Sequence, residues 1–295
     1  MNGFTARDVS SQQGKTFLVT GANTGIGFEV AKALAEKGAR VMLGCRSEHA
    51  AGAAMDQIKH QVPGAQLSFL PLDLADLDSV RAAASLVSKG PRLDVLINNA
   101  GVMTPPLMHT TQGFELQFGV NHLGTFLLTT LLLPKLQQAP NARVVITSSI
   151  IHSRGKAVWS DPRAASGYDK MQRYADSKLA NLLFLLELNR RLQAEGSTTI
   201  AVGCHPGMAQ TSLGRYAGAL QVLNPLVGLM LNTAERGAWP ALQAATADVK
   251  PGDYFGPIGF KGVRGVSGPA NRADNALNAT DAQELWRISE QLISG

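Results

Sequence analysis

Tyr174 and Lys178 stand four residues apart in the run Tyr-Ala-Asp-Ser-Lys. That spacing puts both on one helix face. A cation beside a phenol favours the phenolate and lowers its pKa, so the pair could exchange a proton with an alcohol or carbonyl oxygen. Taken alone, such a pair is more often a solvated helix edge. Tyr168 is a rival, but four residues on it meets Gln172 rather than a lysine. A second candidate is the run Thr-Gly-Ala-Asn-Thr-Gly-Ile-Gly, Thr20 to Gly27. Glycines allow a tight turn and close approach of backbone to a pyrophosphate, and a helix starting there offers free N–H groups to the phosphates. Gly21, Asn23, Thr24, Gly25, Ile26 and Gly27 are the candidate contacts. Its G-x-x-x-G-x-G spacing differs from the general G-x-G-x-x-G fingerprint, and a glycine-rich turn without a ligand is the plain alternative. A third is Arg46, at the end of an apolar run where an acid would bind a ribose 2′-hydroxyl. An arginine suits a 2′-phosphate instead, which favours NADP(H), with NAD(H) as the alternative.

These residues need a scaffold, and the pattern supplies one. Strands are expected at Thr16–Thr20, Arg40–Gly44, Leu67–Leu72, Leu93–Ile97, Arg143–Thr147 and Thr199–Gly203. Helical spacing covers Glu29–Lys37, Ala50–His60, Ser79–Ser88, Phe114–Leu136 and Tyr174–Glu195. Apolar strands alternating with helices predict an α/β fold: one domain over residues 1–295, a doubly wound parallel sheet (Rossmann-type) flanked by helices on both faces. The Gly- and Pro-rich stretch Lys250–Ala273 is expected to wrap the surface.

Composition excludes several classes. The chain has 295 residues and 45% hydrophobic content, enough for a large core and too apolar for disorder. Its two cysteines, Cys45 and Cys204, rule out a disulfide scaffold and a Cys-rich zinc site. They fit free thiols in a reducing cytoplasm, and the N-terminus has no apolar signal-peptide core. The net charge of +5 is not gathered into basic runs, so nucleic acid is not an expected partner. The apolar run Phe126–Leu133 ends at Pro134. It reads as a buried helix rather than an integral membrane span. No G-x-S-x-G elbow supports Ser/His/Asp hydrolysis. His152 and His205 have no metal partner near them in sequence and read as walls of the site.

The ordered set TGANTGIG, Asp73-Leu74, Asn98-Asn-Ala-Gly101, Asn121, the serine pair after Arg143–Thr147, YADSK and His205-Pro-Gly207 resembles the short-chain dehydrogenase/reductase family. Cys45-Arg46, NNAGVM, VNHLGTF and SKLAN are most similar to its retinol-dehydrogenase and WW-domain-oxidoreductase branch. The resemblance implies a catalytic set of Tyr174 as general acid/base, Lys178 on the nicotinamide ribose, Ser149 on the reacting oxygen and Asn121 holding a relay water. It implies that Asp73 and Leu74 bind adenine, and that Asn99, Ala100 and Gly101 pass the adenosine ribose. Pro206 and Gly207 would flank the nicotinamide, and Thr211 would reach its carboxamide or a phosphate. The interval between Ser149 and Tyr174 is longer than in compact members, so residues 150–173 must form an excursion, and Ser148 and Ser153 compete with Ser149.

Together these features point to an oxidoreductase moving a hydride between NADP(H) and a carbonyl/alcohol pair. A cofactor-binding regulator without chemistry is the alternative from another class. Residues 208–232 carry many apolar side chains, among them Leu213, Leu220, Leu226 and Leu229. They are expected to form a lid over an apolar small-molecule substrate. The resemblance also implies a homo-oligomer formed through the two long helices.

Overall fold

The computed structural model describes residues 3–208 and 232–294. Eight strands form one sheet in the order β3-β2-β1-β4-β5-β6-β7-β8. They are β1 Thr16–Thr20, β2 Arg40–Cys45, β3 Gln66–Pro71, β4 Val95–Asn98, β5 Arg143–Thr147, β6 Ile200–Cys204, β7 Tyr254–Gly259 and β8 Arg264–Pro269. The order reverses between β1 and β4, which creates a crevice beyond the carboxyl ends of the strands, the usual ligand position in such sheets.

Strand alternation feeds two cores. Phe17, Val19, Val41, Val95, Ile97, Val145 and Val202 face one side, where they pack with helices α1 (Gly25–Glu36), α2 (Glu48–Gln61) and α6 (Ala234–Thr246). Leu18, Leu96, Val144 and Ile146 face the other. They meet α3 (Leu77–Lys89), α4 (Leu116–Leu136), α5 (Lys170–Ala194) and α7 (Ala279–Ser294). Side chains of successive residues point to opposite faces, so nearly every strand position is buried and the strands read as continuous apolar runs.

Three expectations change. Lys250–Ala273 does not simply wrap the surface, because it holds β7, parallel to β6, and β8, antiparallel to β7 at the sheet edge. Its glycines hid the strands. A Cβ at Gly256 would overlap the His205 ring, so a glycine stands where a strand pattern would show a side chain. The sheet is therefore mostly rather than wholly parallel. Tyr174 does not open its helix. Asp169 caps α5 by accepting from the backbone N–H of Met171 and Gln172, and Tyr174 sits in the second turn. Pro134 lies inside α4, which ends at Leu136 as its spacing predicts.

Helix α4 is long and apolar enough to cross a membrane, with a mean hydropathy of 1.3 over its most apolar window. In this fold 83% of that window is buried, as befits a core helix. Helix α7 lies across the long pair. Its Trp286 meets Phe126 of α4 edge-on at 4.9 Å and Phe184 of α5 at 5.8 Å, and Arg191 stacks over it at 4.2 Å. An oligomer built on this part of the two helices would have to displace α7.

Candidate active site

The glycine-rich turn joins β1 to α1. Gly21 has φ +68°, a left-handed conformation that a side chain would strain, and its N–H donates to Gly44 O at 2.8 Å. A Cβ at Gly27 would overlap the Gly21 carbonyl and lie 2.6 Å from Asn99 Nδ2, so the turn, α1 and the end of β4 are in close contact. Helices α2, α3, α5 and α6 are capped by Ser47, Asp76, Asp169 and Thr233. By contrast, the Thr24 side chain makes no capping bond to α1, whose first turn holds no acid. Its leading N–H groups and the positive end of its dipole face the crevice without a side-chain cap, an arrangement that suits a pyrophosphate.

Residues expected along the nucleotide follow the strand ends in order. Arg46 is exposed immediately after β2. Asp73 follows β3; its carboxylate accepts from the Ala75 N–H at 2.9 Å and its own N–H donates to Ser79 Oγ at 2.9 Å. Leu74 is buried beside it. Asn99, Ala100 and Gly101 follow β4 and are half-buried. Thr20, not singled out by sequence, anchors them. Its hydroxyl accepts from the N–H of Asn99 at 3.0 Å and of Ala100 at 2.9 Å, and its carbonyl accepts from Asn99 Nδ2 at 2.9 Å. Pro206 and Gly207 follow β6. Thr211 and the expected lid, apart from Met208 and Asn232, lie outside the described residues.

The proton-handling residues converge. A short π-helical stretch, Gly119–Gly124, interrupts α4 and carries Asn121. Such insertions often mark functional positions. Asn121 Oδ1 accepts from Val102 N–H at 2.8 Å, and its Nδ2 donates to Val102 O at 3.0 Å and Ser177 Oγ at 2.9 Å. A Cβ at Gly101 would lie 3.0 Å from Asn121 Oδ1 and 3.5 Å from Lys178 Nζ, so both groups border one small space that the glycine keeps clear. Lys178 Nζ donates to the Thr147 carbonyl at the end of β5, 3.2 Å away, and lies 5.8 Å from the centre of the Tyr174 ring.

The three competing serines separate. Ser148 is buried and donates to the Lys178 carbonyl at 2.7 Å, and exposed Ser153 donates to Ile150 O at 3.3 Å. Ser149 stands near enough to the Tyr174 hydroxyl to pull its pKa down, and its own Oγ accepts from the Ile151 N–H at 3.4 Å. Its backbone is held by His152, which sequence reading placed as a wall of the site. His152 Nδ1 donates to Ser149 O at 2.7 Å, while Nε2 accepts from Ala273 N–H at 3.1 Å. Ser177 escaped notice, although it lies within the Tyr–Lys run and fixes Asn121.

Electrostatics correct one expectation. Burial pushes the Tyr174 phenol up to about 12, against the downward pull of Ser149. Burial lowers Lys178 to about 8, because the ammonium is taken out of water. The lysine therefore does not by itself make the phenol acidic in the ligand-free protein. Burial similarly lowers His205 to about 4, and lowers His152.

Comparison with known proteins agrees with this geometry. Residues 15–219 match the short chain dehydrogenase family. The chain is 44% identical to human retinol dehydrogenase 12 over 246 residues, covering 82% of this chain and 77% of that protein. It is 42% identical to human retinol dehydrogenase 13, covering 80% and 73%. An uncharacterised protein from Mycobacterium paratuberculosis superposes with a TM-score of 0.84 at 39% identity, covering 99% and 98% of the two chains. A short chain dehydrogenase from Escherichia coli in complex with NADPH superposes at 0.66 with 26% identity, covering 84% and 97%.

Proposed function

Because the chain belongs to the short-chain dehydrogenase/reductase family, we propose that it moves a hydride reversibly between NADP(H) and the carbon of a carbonyl/alcohol pair, with Tyr174 as general acid/base. The observation that carries this reading is the convergence of the buried Tyr174, the Lys178 ammonium 5.8 Å from its ring, and Asn121 bordering the same small space as that ammonium.

The bound cofactor supplies the hydride and, when oxidised, a positive ring. The chain supplies position and proton control. The bare N–H groups of α1 hold the pyrophosphate, Arg46 the 2′-phosphate, and Asp73 and Leu74 the adenine edge. Asn99, Ala100 and Gly101 line the adenosine ribose, Lys178 takes the other ribose, and Pro206 and Gly207 flank the nicotinamide. In the reducing direction the substrate carbon gains the hydride and its C=O π pair moves onto oxygen. Ser149 donates a hydrogen bond to that oxygen, and Tyr174 Oη gives it the proton that completes the alcohol. Lys178 and a water held near Asn121 return a proton to Tyr174 from solvent. The phenol rests near 12 and the ammonium near 8 without ligand. For the alcohol-oxidising direction Tyr174 would have to give up its proton more readily than it does in the protein alone, and an oxidised nicotinamide held beside it would supply the positive charge that favours this.

The relatives' name, retinol dehydrogenase, supports an apolar substrate, as does the apolar composition of residues 208–232. The two free, buried thiols support a reducing, cytoplasmic setting. A homo-oligomer would use surfaces other than the α7-covered part of α4 and α5. The test is a carbonyl and alcohol panel with NADPH and NADP+. Turnover supports the enzyme reading. Cofactor binding without turnover on any member supports the regulator instead.

A further inference from the structure

We propose that the substrate carries an anionic group on the end remote from its reacting carbon, and that Lys261 and Arg272 recognise it. This rests on the oxidoreductase reading above. A cavity of about 450 Å³, lined in part by Ile150 and His205, the chain neighbours of Ser149 and Pro206, is within the size range of small-molecule sites. Together with His152 these two residues form one part of its wall. The β7–β8 turn and residues 269–273 form another.

Its charge is one-sided. Lys261 and Arg272 line it and no aspartate or glutamate does. The ion pairs among the described residues use neither cation. Burial keeps His152 and His205 neutral near pH 7, so the two long side chains supply the positive potential.

The turn that carries Lys261 is a built part of this wall. Phe260 and Lys261 both have left-handed backbones, φ +47° and +55°, followed by Gly262 at +81°. Two successive non-glycine residues in that region cost energy and persist only where neighbours fix them. The neighbours here come from the nicotinamide-side turn. Met208 N–H donates to Val263 O at 3.0 Å, and Asn232 bridges the two segments by accepting from Gly265 N–H at 3.1 Å and donating to Pro206 O at 3.3 Å. Gly207, at φ +69°, must be glycine, since a Cβ would overlap the Val263 carbonyl. Lys261 is thus held at a fixed place relative to the residues that flank the reacting carbon.

The test compares three aldehydes with NADPH: decanal, 10-oxodecanoate and 10-oxodecyl phosphate. One anionic aldehyde is expected to show a KM at least about tenfold below that of decanal, the factor conferred by one charge-assisted hydrogen bond. Which one wins distinguishes a carboxylate from a phosphate ligand. The ratio of anionic to neutral KM should collapse towards one in Lys261→Gln/Arg272→Gln. In Lys261→Glu, a reversal on an exposed turn, it should favour decanal. Equal KM values in the wild type, or a preference that survives both variants, overturn the proposal while leaving the oxidoreductase reading standing. Failure of all three aldehydes to turn over with NADPH bound overturns both.

Discussion

Acid should destabilise this fold by an amount set by its buried histidines. His122 is fully buried in α4 among Phe118, Phe126 and Phe184, and its Nε2 bonds Ser289 Oγ of α7 at 2.7 Å. Burial lowers it from 6.5 to about 3, and lowers His205 from 6.5 to about 4. Between those folded values and the unfolded 6.5, the unfolded chain binds a proton on each residue and the folded chain does not. Stability therefore rises with pH through this window and is lost as pH falls. Each residue adds a slope of about 1.4 kcal/mol per pH unit at its steepest, and each withdraws about 2 kcal/mol between about pH 7.5 and pH 5. Urea unfolding of the wild type, His122→Gln and His205→Gln across this range measures the slopes. Each variant should lose about one proton's worth of slope, whatever its absolute stability. A wild-type slope unchanged by either substitution would refute the assignment of neutral, buried imidazoles.

Three further outcomes follow from the same geometry. Arg46→Ala should weaken NADPH binding about tenfold or more and leave NADH binding nearly unchanged, as read by fluorescence titration. Trp286→Ala should destabilise the protein by about 3–5 kcal/mol in chemical denaturation, because it empties the contact of α7 with Phe126 and Phe184. Gly101→Ala puts a methyl group 3.0 Å from Asn121 Oδ1 and 3.5 Å from Lys178 Nζ. It should reduce kcat more than it changes the melting temperature, and equal NADPH-linked kcat in wild type and variant would contradict the shared space drawn there.

The sheet was readable where strands are buried on both faces. Thr16–Thr20 and Arg143–Thr147 match their expected bounds, because continuous apolar β-branched runs leave no competing pattern. Legibility failed at the other edge of the sheet. In β7 and β8, glycines such as Gly256 give up side chains to let His205 approach, which erases the period-two signal. Helix starts were misplaced where a cap lies several residues upstream, as with Asp169 before Tyr174. Within the site, the placement of Tyr174, Lys178 and the glycine turn was legible because it depends on local spacing. Thr20 and Ser177 were not, since each acts through a bond to a residue brought in by the fold, Asn99 or Asn121; His152 was read as a site wall, without its bond to Ala273. The Tyr174 acidity was misjudged for a related reason. Spacing announces a neighbouring cation, but only packing reveals how strongly both groups are desolvated.

The most direct test of the proton-transfer account is single-turnover reduction of a carbonyl substrate by NADPH in Tyr174→Phe, with NADPH affinity measured on the same preparation. The account requires hydride transfer to slow by about 10²–10⁴-fold, the range for loss of a general acid, with NADPH affinity within a few-fold of wild type. Transfer at the wild-type rate in that variant would contradict it.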